Sequence, residues 1–284
     1  MIFRLDVILG TMRLIFLSLL AFMLSAATAW GQTYVFAVVP QFPAVEVFRT
    51  WRPLLDAMEQ GTGYKFELRT SDTIPKFEAS FQAGEPDFAY MNPYHAVMAR
   101  KAAGYIPLVR SSESLSGILV VRSDSPLRGI AELKGASIAY PAPNSFGASL
   151  YMRALLGERF KIATDPVYVQ THVNAYRSVI RGDTPAAGGI RSTLEREPAE
   201  VRDKLRVLYE TPATASHPVS AHPRVPPAVR MAVRAAMIKL AKTEAGMKML
   251  DAVSLDALVE ADYAQDYAPL EAFKLDRFVV SPGK

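Results

Sequence analysis

Short apolar runs alternate with stretches of helical periodicity along most of the chain. Tyr34–Val39 is an apolar run that stops at Pro40 and predicts a buried strand. Over 44–60, Phe48, Trp51, Leu54, Leu55 and Met58 recur at helical spacing, and Gly61 and Gly63 end the helix. Residues 65–69 alternate as a strand. Asp72 is placed to cap a helix through Ala83, with Pro75 in its first turn and Gly84 behind it. Further strands are predicted over 88–91, 106–110, 116–122, 136–140, 167–170, 186–189 and 205–209. Helices are predicted over 93–103, 146–156 and 174–181. Segment 211–226, with four prolines and two histidines, reads as extended. Helical patterns follow over 228–242 and 244–253, and a weaker one over 257–267.

Strands separated by helices in units of roughly 30 residues predict parallel α/β sheets. The order is one α/β block, an extended crossing, a second block, an extended return and terminal helices. Such a chain makes two lobes with a cleft at the hinge. Ligands of open α/β sheets sit beyond the carboxyl ends of strands, where helix N-termini point. A small molecule is therefore the expected partner.

The first residues stand outside this pattern. Met12-Arg13, the apolar run 14–24 and the small residues Ser25–Ala29 have the order of a secretory signal, with cleavage after Ala29 or Gly31. The run is shorter than the ~20 residues that span a bilayer. Translation starts at Met1 or at Met12. Removing residues 1–31 takes away Arg4, Arg13 and Asp6, leaving 30 basic and 27 acidic residues over 253 positions. The reading is an exported, soluble, periplasmic protein.

Composition narrows the chemistry. The 284 residues contain no cysteine, which excludes disulfides, thiolate metal sites and cysteine catalysis. A formal net charge of +4, without a basic run interleaved with aromatics, argues against nucleic acid. Nucleophile-elbow, phosphate-loop, zincin and dinucleotide motifs are absent from the sequence, so no enzyme and no cofactor are expected. His95, His172, His217 and His222 lack a usual metal spacing.

Four strand-to-helix junctions carry small polar groups or a histidine that could converge on one cleft. They are Ser71-Asp72-Thr73, Tyr90-Met91-Asn92-Pro93-Tyr94, Asn144-Ser145-Phe146-Gly147 and Thr171-His172. The third suits an anion best, because a helix N-terminus offers unsatisfied amides and a favourable dipole. The simpler role for Asn144 or Ser145 is a helix cap.

The chain resembles the periplasmic substrate-binding proteins of phosphonate, phosphite and phosphate ABC importers, a type II periplasmic-binding-protein family. The resemblance rests on Val38-Val39-Pro40, Trp51-Arg52-Pro53-Leu54-Leu55, Gly84-Glu85-Pro86-Asp87-Phe88-Ala89-Tyr90 and Asn92-Pro93-Tyr94. It continues through Leu133-Lys134-Gly135, Pro143 to Ser149, Val173 to Gly182 and His217 to Pro223. It implies a two-lobed α/β fold with two crossing strands at the hinge: lobe 1 from 32–117 plus 217–284, and lobe 2 from 118–216. It also implies a non-enzymatic monomer that closes over an oxyanion and delivers it to an ABC permease.

By position, the resemblance brings Ser145 and the amides of Phe146 and Gly147 to the phosphorus oxygens, with Asn144 beside them. His172 becomes a donor to the same anion, and Thr73, Tyr90, Asn92 and Tyr94 become first-lobe contacts. His217 stands where aminophosphonate binders resemble one another in having a carboxylate, and Ser192, where they carry a second, is not an acid either. Without acids to hold an ammonium, the implied ligand is phosphite, phosphate or an alkylphosphonate. The family's Ser-Thr-Ser-Gly is Ser-Phe-Gly-Ala here, two hydroxyls fewer. Arg191 is a candidate bidentate partner of the anion, or a solvated residue beside Glu195 and Glu197. The alternatives are a sensor of another small anion on the same fold, a ferric-iron binder using Tyr90, Tyr94 and His95, and a secreted hydrolase.

Overall fold

The computed structural model describes residues 31–280; the apolar run 14–24 and the first proposed cleavage point lie outside them. Two sheets carry the two-lobed α/β architecture. The first has six strands: β1 (Thr33–Val38), β2 (Lys65–Thr70), β3 (Phe88–Tyr90), β4 (Ile106–Ser111), β10 (Pro218–Ala221) and β11 (Leu258–Glu260). Their spatial order is β11-β4-β10-β3-β1-β2. The second has five: β5 (Gly117–Arg122), β6 (Ser137–Tyr140), β7 (Asp165–Tyr168), β8 (Ala186–Ile190) and β9 (Leu205–Glu210), ordered β7-β6-β8-β5-β9.

Both sheets are mixed rather than parallel. β1 runs parallel to β2 and β3, and β6 parallel to β7 and β8. β10, β11, β5 and β9 pair antiparallel with their neighbours. The segment that reads as extended over 211–226 therefore contains a central strand. Pro218 is tolerated as its first residue, where a missing N–H does least harm. The weak helical pattern near the C-terminus resolves into β11 and a wide turn, Tyr263–Tyr267.

In lobe 1, α1 (Ala44–Thr62) buries Val47, Trp51, Leu54, Leu55 and Met58, and Gly63 at φ 76° terminates it. α2 (Ile74–Gln82) is capped by Thr73 rather than Asp72, with Pro75 in the first turn. α3 (Pro93–Ala103) is capped by Asn92 and closed by Gly104 at φ 73°. In lobe 2 the helix after β6 is irregular: a π turn, Phe146–Leu150, then α4 (Tyr151–Ala154), then a second π turn, Leu155–Arg159. α5 (His172–Arg181), α6 (Arg191–Glu195) and α7 (Ala199–Arg202) complete it. α8 (Pro227–Leu240) and α9 (Glu244–Ala252) return to the first sheet, with α8 contacting β11 and α9 contacting α1.

The chain passes between the lobes at residues 112–116 and 211–217. These two passages are hydrogen-bonded to each other: Leu115 N donates to Thr214 O at 2.9 Å, and Thr214 N to Leu115 O at 3.0 Å. A third passage was not expected. Lys274 turns the chain at φ 50°, and Leu275–Phe278 lies on α4 of the second lobe. Residues 275–280, which the sequence reading places in lobe 1, thus strap across to lobe 2. The apolar core follows the same path. Phe146, Leu150, Tyr151, Ala154 and Leu155 belong to one cluster with the first-lobe core and with Leu270 and Leu275.

Candidate functional site

Parallel pairing brings the carboxyl ends of β1, β2 and β3 to one edge of the first sheet, with Val38 opposite both Thr70 and Tyr90. The antiparallel β10 starts at that same edge, because Val219 pairs with Tyr90 and Met91 N donates to Pro218 O. This register explains why His217, remote in sequence, stacks on Tyr90 with ring centroids 5.5 Å apart at 26°. Gln41, just beyond β1, puts Nε2 2.9 Å from His217 Nε2. His217 is buried, and desolvation, helped by the proximity of His95, pulls its pKa down to about 3. The ring is therefore neutral and accepts the Gln41 amide proton.

The second sheet offers the matching edge. β6 and β7 end side by side, Tyr140 opposite Tyr168, so the 141–146 and 169–172 turns are neighbours. After Ser145 the chain enters the π turn, in which Leu150 N reaches back to Ser145 O at 3.0 Å. The amides of Phe146, Gly147 and Ala148 donate to no acceptor among the described residues, and the Ser145 side chain makes no capping bond. Four donors at a helix start are what an oxyanion needs. Two glycines seat this turn on the sheet. A Cβ on Gly117 would lie 2.0 Å from Gly147 O, and one on Gly188 2.0 Å from Ala148 O.

His172 opens α5. Its Nδ1 is buried without a partner, and desolvation lowers its pKa to about 4, so it too is a neutral donor or acceptor. Phe146 contributes only its amide: the ring is buried and stacks on Tyr151 at 5.5 Å.

The two edges meet through Asn144, which is fully buried. Its Nδ2 donates to both oxygens of Glu78, at 3.1 and 3.0 Å, and to Val280 O at 3.0 Å, while its Oδ1 accepts from Val280 N at 2.9 Å. Asn92 caps α3 by accepting from His95 N, and its Nδ2 lies 3.0 Å from His95 Nε2 and 3.5 Å from Asn144 O. Pro143 is held by Arg153, whose Nη2 donates to Pro143 O at 2.7 Å and to Phe278 O at 2.8 Å.

Three expected residues are not brought to this cluster. Thr73 is exposed and spends its hydroxyl on Lys76 N. Tyr94 is buried in the first-lobe core, its phenol pushed up to about 12 by desolvation. Arg191 is committed to Glu210 on β9, with Nε 2.9 Å from Oε1 and Nη2 on the other oxygen, which leaves no free fork for an anion. An unresolved partner of Arg191 in the sequence is thus an acid 19 residues away, across the sheet.

Gln41, Glu78, Arg153 and the pair Gly117/Gly188 escaped sequence reasoning. Glu78 carried a signal: an acid beside Phe77 and one turn before Phe81, on the buried face of α2. A cavity of about 440 Å³ opens at the hinge between Arg110, Glu113, Thr214, Gln265 and Phe273, away from these candidate residues. Among the described residues there is no group of three or more potential metal ligands, and no helix long and apolar enough to cross a membrane.

Comparisons with known proteins identify the family and the fold. Residues 36–267 match the model of the ABC transporter phosphonate periplasmic substrate-binding protein family. The fold is similar to a binding-protein component of a phosphonate ABC transporter from Pseudomonas aeruginosa, at TM-score 0.72, 16% identity and 87% coverage of each chain. It is also similar to PhnD1 from Prochlorococcus marinus in complex with methylphosphonate, at TM-score 0.75 and 13% identity, covering 87% of this chain and 98% of that one. A Xanthomonas citri protein bound to chloride matches at TM-score 0.75 and 16% identity, with the same coverage. No curated protein sequence matches. The chain is a binding protein and not an enzyme: it belongs to the family of periplasmic substrate-binding proteins of phosphonate ABC transporters.

Proposed function

We propose that this protein captures a small phosphorus oxyanion without an amino group (phosphite, phosphate or an alkylphosphonate such as methylphosphonate) and delivers it to an ABC permease after its leader is removed. The observation that carries the reading is the turn at 145–148, where free amides and the Ser145 hydroxyl point from a helix start held between the lobes. Neutral His172 and His217 supply directional hydrogen bonds without adding charge. Oxygens of a tetrahedral anion are held in this way by fixed dipoles rather than by a cation.

Among the described candidate site residues no carboxylate stands unpaired, which argues for the uncharged tail. His217 stands where an ammonium would need a carboxylate, Glu210 is neutralised by Arg191, and Glu78 is used by Asn144 and His95. An aminoalkyl group brought here would lose its water without gaining a counter-charge. The ferric reading loses support for a related reason: burial raises the pKa of both Tyr90 and Tyr94, against phenolate formation. In a thermal-shift and calorimetric series, methylphosphonate, phosphite or phosphate is expected to raise the transition temperature, and 2-aminoethylphosphonate to leave it unchanged. A response to the amino compound alone, or to none of the four, would overturn the reading.

A further inference from the structure

Glu78 is 3% exposed on the apolar face of α2, between Phe77 and Phe81. A carboxylate in such a place loses its hydration, and that cost is offset only through the groups it holds. A leucine there would leave the Asn144 amide and His95 Nε2 without their acceptor. What it does is grip: one oxygen lies 3.0 Å from His95 Nε2, and both accept from Asn144 Nδ2 across the lobe interface. Asn144 in turn is the residue from which the Ser145 hydroxyl and the free amides of Phe146, Gly147 and Ala148 extend. Arg153 fixes the preceding carbonyl of Pro143, and Val280 closes a two-bond ring with the Asn144 amide. The turn is held from both sides, and Glu78 is the first-lobe side of that hold.

We infer that Glu78 is a positioning residue for anion capture: acting through Asn144, it fixes the 145–148 donors and keeps the two lobes in register, without touching the ligand. The inference rests on the proposed reading of that turn as the anion site. It separates position from charge. A carboxylate acting only as a nearby negative charge would weaken anion binding, so neutralising it would tighten binding. A carboxylate acting as the acceptor for Asn144 is replaceable by a glutamine, which keeps one acceptor oxygen, and not by a leucine, which keeps none.

The test uses the full mature chain with spin labels on Met231→Cys in lobe 1 and Lys204→Cys in lobe 2; the sequence has no other cysteine. Interlobe distances are measured without added ligand, and methylphosphonate affinity by calorimetry. Glu78→Leu is expected to broaden the distance distribution toward longer values and to weaken binding about tenfold or more, while Glu78→Gln keeps the parental distribution and stays within about threefold. Parental distances in Glu78→Leu, or tighter binding in Glu78→Gln, would overturn the inference. If Glu78→Leu gives no cooperative thermal transition, Glu78→Asp, one methylene short of Asn144, replaces it with the same two outcomes. Should the parent bind no phosphorus oxyanion, the functional reading fails, and the distance arm still decides the role of Glu78.

Discussion

Burying two histidines in neutral form sets a pH dependence that can be worked out. His217 has its pKa lowered to about 3 and His172 to about 4, against 6.5 for the free side chain, in both cases by desolvation. Because the native values lie below the unfolded one, the unfolded chain takes up protons first as pH falls. The stability these rings allow is complete above pH 6.5 and is lost progressively as pH drops toward 4 and 3. At pH 5 each histidine favours the unfolded state by about 2 kcal/mol, from the standard linkage relation. The pair therefore removes about 4 kcal/mol between pH 7.5 and 5, on the order of 10 °C in transition temperature for a chain of this size.

Carboxylates with lowered pKa, such as Glu59 and Glu210, lose their contribution only below their unfolded value of 4.5, so the window from pH 7 to 5 isolates the histidines. Urea unfolding at half-unit intervals measures the slope, to which these two rings should contribute uptake of about two protons on unfolding at pH 5, beside a smaller share from His222, also lowered by desolvation. His217→Gln and His172→Gln should each flatten it by about one proton. The same neutrality fixes a functional outcome. The ratio of parental to His172→Gln affinity for methylphosphonate should not change between pH 8 and 5.5, since neither ring becomes cationic there. Parallel unfolding slopes in parent and variants, or an affinity ratio that climbs on acidification, would refute the assignment of both rings as neutral donors.

Gly188→Ala should push Ala148 and the Tyr140 ring away from β8, costing about 1–3 kcal/mol and weakening anion binding about tenfold. Gly129→Ala, with nothing within 4 Å of the new methyl, is the control expected to change neither in urea unfolding nor calorimetry. Arg191→Ala should free the Glu210 carboxylate and improve 2-aminoethylphosphonate affinity by about two- to fivefold, the modest value of a part-exposed charge pair. Unchanged discrimination between amino and methyl compounds would place Glu210 outside the ligand's reach.

Much of the scaffold was legible because local rules and tertiary packing agree in it. Helix α3 runs from the Asn92 cap to the Gly104 stop, as the pattern predicts, and the β1–α1–β2 unit follows apolar periodicity. β10 was hidden because its four residues carry no alternation and begin with proline; only pairing with β3 and β4 makes it a strand. The anion turn was visible as a strand followed by small residues and a helix. Its seat was not, since Gly117 and Gly188 matter through backbone approach from elsewhere in the chain. Arg191 shows the same limit: Glu195 and Glu197 lie close in sequence, but Glu210 takes the guanidinium. The contacts of Glu78 with Asn144, 66 residues on, leave no periodic trace beyond one acid in an apolar stripe.

The strap formed by Leu275–Val280, together with the core shared by Leu270, Leu275 and the helix face at Leu150, Tyr151 and Leu155, bears on how this chain can come apart. Two lobes tethered only by flexible linkers can melt one after the other. Here the helix face at Leu150, Tyr151 and Leu155 completes its apolar packing with Leu275, 120 positions downstream of Leu155. Cutting the gene between the lobes is therefore expected to leave fragments in which this shared part of the core is open.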